Sequence, residues 1–589
     1  MVDKWLVETD LSEEWDFYTR ANVGEVFPDP VAPLSFFYFQ HDDPEHGRVL
    51  GGSEMGFRNA YYRIGVMTPD ELPGDECVFL GITGGYAYLN ASALRMLGHR
   101  APNMTAKDID DAFFGDAPGV PEFVVKPGFD RPELTEKIAE TFGWVLTTPD
   151  LPDVLEHERM VDGLRSSRPD LAAMSDAELI DHAFRLADSH FEALFGEHIY
   201  VTFLATVPLG IITAVCNAVG RPTAVLKLLA GLGDVESAAP SMTMWELGRM
   251  VVDSPSLTAV FDTGYVGLHA RLVDRSDDPD VAAFLDRFAD FTRHYGCRGP
   301  NEWETRSPTW ETEPDLALAA IDRMRLSDPA ASPRAHNADR AAEREALGDE
   351  IAAMLDGDPE TQAQFRAALH SATVFMPGRE RTKTNCVKLI HEWRMAFHEF
   401  GRRRVADGTF NLHTDFGLLR RDELREAVVD PAKFTDELRS REALLHEVAA
   451  LQEPFLFAGG RPDMSSYPRR DAAAITLVVE GESVPGVPGC PGIAKGIARV
   501  VTDSHDPTAL EPGDILVAPI TDPSWTPLFV PAAGVVVDVG APLSHAIIVS
   551  RELGIPCVVS ATDATKRIPD GALLEVNGDT GVVTVLSLP

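Results

Sequence analysis

Cysteine is scarce in this chain, with six in 589 residues. They are Cys77, Cys216, Cys297, Cys386, Cys490 and Cys557. No two of them form the Cys-x-x-Cys pair of a zinc site, and the scattered spacing indicates free thiols in a reducing compartment. The first residues also lack the charged-then-apolar pattern of a secretion signal, which predicts a cytoplasmic protein.

Positive charge is the second shortage. The chain has 52 Lys and Arg against 92 Asp and Glu, a formal net charge of −40. A surface this acidic repels the phosphates of nucleic acid and of anionic membranes, so neither is expected as a partner. Any phosphate site must therefore be built from a few local cations.

Long uncharged runs are also rare, but one of them could indicate a membrane span rather than a soluble protein. The stretch from Ile199 to Val219 carries no formal charge and is long enough to span a bilayer. It stands alone and includes Pro208, Gly210 and Asn217. A buried core helix is therefore favoured over a membrane span.

Length and periodicity predict several domains. Helical periodicity dominates from about residue 150 to 456, after a mixed stretch in which short strands flank the turn Gly84-Gly85. Later, Val- and Ile-rich segments alternate with turns. The predicted strands there are 498–501, 514–518, 534–539, 557–559 and 582–585, and the predicted helices are 524–532 and 545–553.

The expected fold is therefore multidomain α+β. A large, mainly helical region covers 1–462, with a candidate sub-boundary near 327–340. A linker follows at 463–483, and a compact domain of strands and helices covers 484–589. A unit of about a hundred residues is a normal domain size.

The most informative motif lies in that last domain, from Gly540 to Pro556. It places His545 at the first turn of a short helix that follows a buried strand. Ser544 is the predicted N-cap, and Gly554 ends the helix. A helix N-terminus gathers unpaired N–H groups and the positive end of the helix dipole, so an anion attached to His545 would be stabilised there.

This motif resembles the phosphohistidine motif in the swivelling domain of the phosphoenolpyruvate-utilising enzymes. That family includes phosphoenolpyruvate synthase, rifampin phosphotransferase and phenylphosphate synthase. Two positions depart from the family pattern: Ala541 replaces a glycine, and Leu543 stands where a regulatory threonine is common. The alternative is an ordinary buried histidine near the start of a helix.

A second segment of the same domain carries the resemblance further. Residues 521–527 read Thr-Asp-Pro-Ser-Trp-Thr-Pro, which is similar to the family segment that begins the helix beside the histidine helix. Thr521, Asp522 and Ser544 are predicted as the cofactor-binding residues that surround the phosphoryl group, and Thr521 or Asp522 is also a candidate cap of that helix. Weaker similarity elsewhere extends the resemblance over residues 18 to 589.

A further site is predicted where the scarce positive charge clusters, from Arg379 to Lys383. On a helix these two cations lie four residues apart and share one face, which suits a transferring phosphoryl group. The run resembles an Arg-Glu-x-x-Lys run of the same family. The resemblance implies that Arg379 and Lys383 stabilise the phosphoryl group. Glu380 would orient the acceptor or a cation, and a structural ion pair is the alternative for it. The alternative is a solvated basic patch that includes Lys388.

Two histidines, His391 and His398, stand seven residues apart on one predicted helix face. A metal site would need a third ligand that the sequence does not offer. Interior histidines are therefore favoured, and no metal is predicted.

The resemblance implies a phosphotransferase of class EC 2.7. It would carry a phosphoryl group on His545 and pass it to the hydroxyl of a small, apolar organic acceptor. The family's ATP-grasp domain and phosphoenolpyruvate-binding barrel find no counterpart in the sequence. The expected donor is therefore ATP with Mg²⁺ on a separate ATP-grasp-type subunit, as in phenylphosphate synthase.

Two alternatives stay open. Phosphorylation of the acceptor alcohol would also activate it for elimination, so that the net reaction is a dehydration. The second alternative is a catalytically silent binding or scaffold protein with the same fold. The two departures from the family motif, Ala541 and Leu543, favour this alternative.

Overall fold

The computed structural model describes residues 5–43, 47–72, 74, 76–114, 118–232, 239–327, 333–470, 476–502, 509–521, 525–540 and 544–589, with backbone alone at 43, 333–339 and 527. The chain is mostly helical, at 55%, with a β-rich region near the C-terminus, as predicted. It divides into two compact units. Unit 1 comprises 1–207, 303–307 and 381–473, and unit 2 comprises 208–302, 308–380 and 474–589.

The helices run along the chain as follows: α1 Val23–Val26, α2 Gly52–Ile64, α3 Ala91–Arg100, α4 Ala106–Phe114, α5 Pro132–Val145, α6 Pro152–Ser166, α7 Asp176–Leu204, α8 Thr206–Ala218, α9 Ala224–Leu228, α10 Ala239–Asp253, α11 Pro255–Phe261, α12 Leu268–Val273, α13 Pro279–Tyr295, α14 Pro314–Leu326, α15 Pro333–Met354, α16 Pro359–Ala406, α17 Arg421–Val429, α18 Thr435–Ala449, α19 Thr526–Phe529, α20 His545–Leu553 and α21 Ala564–Arg567.

The strands are β1 Phe17–Thr19, β2 Gln40–Asp43, β3 Gly47–Leu50, β4 Leu80–Thr83, β5 Tyr86–Asn90, β6 Leu456–Ala458, β7 Ser483–Pro485, β8 Val487–Cys490, β9 Ile493–Val500, β10 Ile515–Ala518, β11 Gly534–Val537, β12 Cys557–Val559, β13 Leu573–Asn577 and β14 Val582–Ser587.

Unit 1 combines a small antiparallel sheet, in the order β4-β5-β1-β6, with a group of helices. The predicted hairpin at Gly84-Gly85 is confirmed as the β4–β5 turn. Both glycines have positive φ, 57° and 86°, which suits the tight turns that join antiparallel strands. The helices α2 and α7 approach closely because glycines meet: a Cβ on Gly56 would lie 2.8 Å from the backbone nitrogen of Gly196.

Unit 2 contains an eight-stranded sheet in the order β7-β14-β13-β9-β10-β11-β12-β8. The four strands from β9 to β12 are parallel neighbours, and the other pairings are antiparallel. The predicted strand 557–559 and helix 545–553 have the bounds of β12 and α20. The predicted helix 524–532 is shorter, since α19 covers only Thr526–Phe529 and residues 522–524 lie outside the described part.

The core of unit 2 joins the helices from α10 to α14 with the sheet. Phe284 and Leu318 on the helices belong to the same buried cluster as Val535 of β11 and Ile547 of α20. Each of these four side chains is at most 1% exposed. The histidine helix therefore contributes to a buried core that the sheet shares with helices α10–α14.

The uncharged stretch near residue 199 belongs to a long helical segment. Within the described residues, Asp176–Ala218 is the one helix long and apolar enough to cross a membrane, and 56% of its most apolar window is buried. Burial of this kind supports the predicted core helix rather than a membrane span.

Gly554 ends α20 in the left-handed conformation, with φ 78° and ψ 31°. A Cβ there would lie 2.0 Å from Nη2 of Arg340, whose Nη1 donates a 2.6 Å hydrogen bond to the carbonyl of Arg551. We expect Gly554→Ala to destabilise unit 2 by about 2–3 kcal/mol, as left-handed strain costs about 1–2 kcal/mol and displacement of Arg340 adds about 1.

Gly513→Ala is the matched control for urea denaturation. Gly513 also has positive φ, 95°, but a methyl group added to it would meet no atom within 4 Å beyond its chain neighbours, so only the backbone strain applies. In an Arg340→Ala background the two glycine substitutions should cost the same. If Gly554→Ala still lowers the free energy of unfolding by more than Gly513→Ala in the Arg340→Ala background, Arg340 is not the cause of the difference.

Candidate functional site

His545 is the first residue of α20 and is 7% exposed. Its Nδ1 lies 3.2 Å from Oγ1 of Thr521, and its Nε2 lies 3.1 Å from Oγ1 of Thr526. The ring of Phe529 meets the imidazole edge-on at 5.8 Å. Both ring nitrogens therefore contact hydroxyl groups, and the ring plane is fixed from two sides.

The fold explains this arrangement. Strands β10 and β11 are parallel neighbours, and Thr521 and His545 follow their carboxyl ends. The loops after adjacent parallel strands meet at one edge of a sheet, where ligands bind in many α/β folds. A neutral imidazole has one N–H and one lone pair, so one threonine accepts a hydrogen bond and the other donates one.

Ser544 takes the predicted N-cap position, with extended backbone (φ −67°, ψ 155°), but the predicted capping hydrogen bond is absent. Its Oγ is buried and has no hydrogen-bond partner among the described residues. A buried hydroxyl without a partner is costly, so this one is suited to donate a hydrogen bond to a group bound beside His545. Asp522, Ala541 and Leu543 lie outside the described residues.

Asp538 is a polar group of this region that sequence reasoning missed. It follows β11, and its Oδ1 accepts a 2.9 Å hydrogen bond from the backbone N–H of Thr565. Burial, which outweighs this hydrogen bonding, raises the pKa of Asp538 to about 6. The only sequence signal was a carboxylate placed directly after a buried valine run.

The predicted cationic site lies on α16. Nη1 of Arg379 lies 2.6 Å from Oε1 of Glu380, and their side chains are 13% and 6% exposed. This degree of burial argues against the solvated-patch alternative for these two residues. Arg379 and Glu380 belong to unit 2 and Lys383 to unit 1, and the roles predicted for all three stay predictions.

Unit 1 holds an apolar cavity that the sequence did not predict. Aromatic side chains dominate its lining, among them Tyr38, Phe57, Phe191, Phe195 and Trp303. Its volume is about 70 Å³. That space holds two or three waters at the ~30 Å³ each occupies in the liquid.

His198 supplies a polar group to the same cavity. Its Nδ1 lies 3.1 Å from Oγ1 of Thr382 on α16, and its ring lies 6.0 Å from that of Trp303. The arrangement is an aromatic pocket to which a histidine and the hydroxyl of a tyrosine contribute polar groups, which suits a planar apolar compound with a polar substituent.

The two histidines considered as metal ligands are interior residues: His391 is 0% exposed and His398 is 7% exposed. The ring of His398 lies 4.9 Å from that of His413, and burial, with a smaller contribution from His413, holds the pKa of His398 well below its usual value. Within the described part of the chain, no three His, Cys, Asp or Glu residues are grouped to hold a metal.

Comparison with known proteins bears on this site directly. Residues 510–581, which include His545, match the mobile domain of phosphoenolpyruvate-utilising enzymes. Residues 198–380 match the fourth domain of rifampicin phosphotransferase. Over these two stretches the chain is therefore similar to the phosphoenolpyruvate-utilising enzymes, the family that the sequence predicted.

Individual relatives agree. The prodigiosin synthesizing transferase PigC of Serratia marcescens is 26% identical over 97% of this chain and 63% of its own length. Rifampicin phosphotransferase of Streptomyces sviceus is 30% identical over 61% of this chain and 42% of its own length. The Bacillus subtilis rifampicin phosphotransferase is 28% identical over 51% and 34%.

The chain thus spans less than two thirds of the length of each of these relatives. Those named phosphotransferases agree with the predicted enzyme class, phosphotransferases of the phosphoenolpyruvate-utilising type.

Replacing Thr526 by valine tests the contact with Nε2. Thr526→Val keeps the shape of the side chain but removes the hydroxyl, so we expect a loss of about 1–2 kcal/mol in the free energy of unfolding. The His545 side-chain ¹⁵N shifts should also change. The control is Thr584→Val, whose hydroxyl faces Ser483 on the surface and should cost under about 0.5 kcal/mol. Equal effects would contradict the contact.

Asp538 predicts a pH dependence of stability. Its pKa is raised from 3.8 to about 6 on folding, so the folded state holds the proton more tightly than the unfolded chain. Its contribution to stability is full below about pH 4 and is lost as the pH rises to about 6, by roughly 2–3 kcal/mol. Asp538→Asn lacks this change. A difference between the two unfolding free energies that is constant from pH 4 to 7 would contradict the assignment.

Proposed function

We propose that this chain is a phosphotransferase that carries a phosphoryl group on His545 and passes it to the hydroxyl of a small, apolar organic acceptor. One observation carries the proposal: a histidine at the start of a helix, with both ring nitrogens held by threonine hydroxyls. That histidine lies in the stretch that matches the mobile domain of phosphoenolpyruvate-utilising enzymes.

In the first step the unprotonated nitrogen of the His545 imidazole attacks an activated phosphoryl group of the donor nucleotide. The new N–P bond forms while the P–O bond to the leaving group breaks, so the rest of the donor leaves with the bridging oxygen and its electron pair. The N–H groups at the start of α20 and the buried hydroxyl of Ser544 favour the negative oxygens of phosphohistidine. Thr521 and Thr526 fix the ring for attack.

In the second step the acceptor oxygen attacks phosphorus, an O–P bond forms and the N–P bond returns its electrons to the imidazole. The hydroxyl proton leaves to a base. Arg379 and Lys383 would stabilise the transferring group, which gains spread-out charge, and Glu380 would orient the acceptor. The segment 484–589, which follows the 463–483 linker, would move from the donor to the acceptor. This movement would separate the two steps in space and limit the hydrolysis of phosphohistidine by water.

The aromatic cavity of unit 1 is the proposed acceptor site. Its lining suits an aromatic alcohol or phenol, and His198 is placed to interact with a polar substituent. The names of the relatives refer to rifampicin and prodigiosin, which are organic compounds rather than macromolecules. Because the cavity holds only about 70 Å³, the side chains that line it would have to move apart for an acceptor to enter.

ATP with Mg²⁺, bound by a separate ATP-grasp-type subunit, is the proposed donor. The sequence has no Gly-x-x-x-x-Gly-Lys-Ser/Thr loop, which supports a nucleotide site of another kind. A cytoplasmic location would supply ATP and keep the six buried cysteines reduced.

A second candidate function follows from one relative. The protein aligned with 97% of this chain is named a synthesizing transferase rather than a phosphotransferase. Phosphorylation would then convert an acceptor oxygen into a leaving group. Phosphate would leave either when a second reactant displaces it or by elimination. Release of inorganic phosphate with the product, in place of a stable phosphate ester, would distinguish this reaction.

The test is labelling of the purified chain with ATP that carries ³²P in both its β- and γ-phosphates, with and without lysate of the native host. We expect acid-labile, base-stable label that requires lysate and is lost in His545→Ala. His446→Ala, which removes a side chain that is 75% exposed, should label like the unaltered chain.

Label without lysate would place the nucleotide site on this chain and overturn the separate subunit. Absence of label under every condition would leave the binding or scaffold alternative. Label that survives in His545→Ala would overturn the histidine assignment.

A further inference from the structure

Unit 2 contains a second cavity, of about 320 Å³, at the opposite end of α20 from His545. Arg551 of α20, Arg340 of α15 and Gly492 of the β8–β9 turn are among the residues that line it. Arg551 follows His545 by six residues, roughly 9 Å along the axis at ~1.5 Å per residue. The cavity is therefore separate from the phosphohistidine site.

Arg551 is 4% exposed, and its Nε donates a 3.2 Å hydrogen bond to the carbonyl of Gly489. Among the described residues no carboxylate lies within ion-pair distance of its guanidinium. Burial lowers the pKa of Arg551 to about 10, although the carboxylate of Glu552 acts in the opposite direction. A buried cation without a counter-ion is costly, so an anion is expected here.

Arg340 adds a second guanidinium to the same cavity. Its Nη1 donates to the carbonyl of Arg551 at 2.6 Å. No carboxylate of the described chain pairs with Arg340 either. In a protein with a net charge of −40, two neighbouring arginines without carboxylate partners are unusual.

The remaining charged groups of the cavity do not neutralise them. Lys227 and Glu343 pair with each other at 2.5 Å. Asp579, on the turn after β13, accepts a 3.2 Å hydrogen bond from the N–H of Gly492. Burial raises the pKa of the Cys490 thiol, so this thiol is neutral and cannot serve as the counter-ion.

We propose that this cavity binds a phosphate group, either as inorganic phosphate or as the end of a phosphorylated small molecule. Two guanidinium groups match the charge and the planar edges of a phosphate dianion. The carboxylate of Asp579 can accept a hydrogen bond from the one proton of HPO₄²⁻ or of a singly ionised phosphate ester. Sulfate has no such proton at neutral pH. The bound group would hold the C-terminal end of α20 to α15.

Isothermal titration of the full chain with inorganic phosphate, phenyl phosphate and sodium sulfate at constant ionic strength tests the proposal. We expect phosphate to bind at least tenfold more tightly than sulfate, and equally well in His545→Ala. Arg340→Gln should weaken phosphate binding at least tenfold. The control is Arg221→Gln, which removes an exposed arginine paired with Glu350, and it should have no effect.

The comparison of ligands identifies the source of the phosphate. Tighter binding of phenyl phosphate than of inorganic phosphate would indicate a phosphorylated molecule, and the reverse would indicate the free ion. Absence of phosphate binding to the unaltered chain, or equal binding to Arg340→Gln, would overturn the proposal.

Asp579→Asn provides a second measurement should Arg340→Gln fail to fold. It should reduce the preference for phosphate over sulfate severalfold while keeping the cavity cationic. An unchanged preference would contradict the role of Asp579 in this site.

Discussion

The parallel pairing of β10 with β11 is the constraint on which the candidate site depends. It brings the segments after their carboxyl ends to one edge of the sheet, so that Thr521 reaches Nδ1 of His545. The short helix α19 then supplies Thr526 to Nε2. The buried cluster that joins the sheet to α10–α14 holds α20 in place. The imidazole is thus positioned by tertiary packing before any substrate binds.

Electrostatics set the second constraint. A chain with 40 more negative than positive formal charges cannot surround a phosphoryl group with many cations without taking them from other ion pairs. The structure places neutral donors at His545, two threonine hydroxyls and the adjacent hydroxyl of Ser544, at the positive end of a helix dipole. In the proposed reaction this environment stabilises the carrier state, and cations are supplied only where the group is transferred.

The two ends of α20 therefore have different chemistry. At its start, the hydroxyl groups that contact His545 among the described residues are polar but uncharged. At its end two arginines line a cavity and have no carboxylate partner among the described residues. Gly554 allows both the end of the helix and the approach of Arg340. An anion bound there would stabilise the position of the helix that carries the histidine, which links the second cavity to the first site through one rigid element.

The sequence by itself determined the local structure around the histidine. The start and end of α20, strand β12 and the Gly84-Gly85 hairpin follow from caps, turn glycines and apolar runs, which act over a few residues. Tertiary structure decided which side chains meet. The ring contacts of His545 and the hydrogen bond of Arg340 to α20 join residues 19 to 211 positions apart, and the raised pKa of Asp538 depends on burial. The local pattern of residues determines neither which residues distant in sequence come into contact nor which side chains become buried away from water.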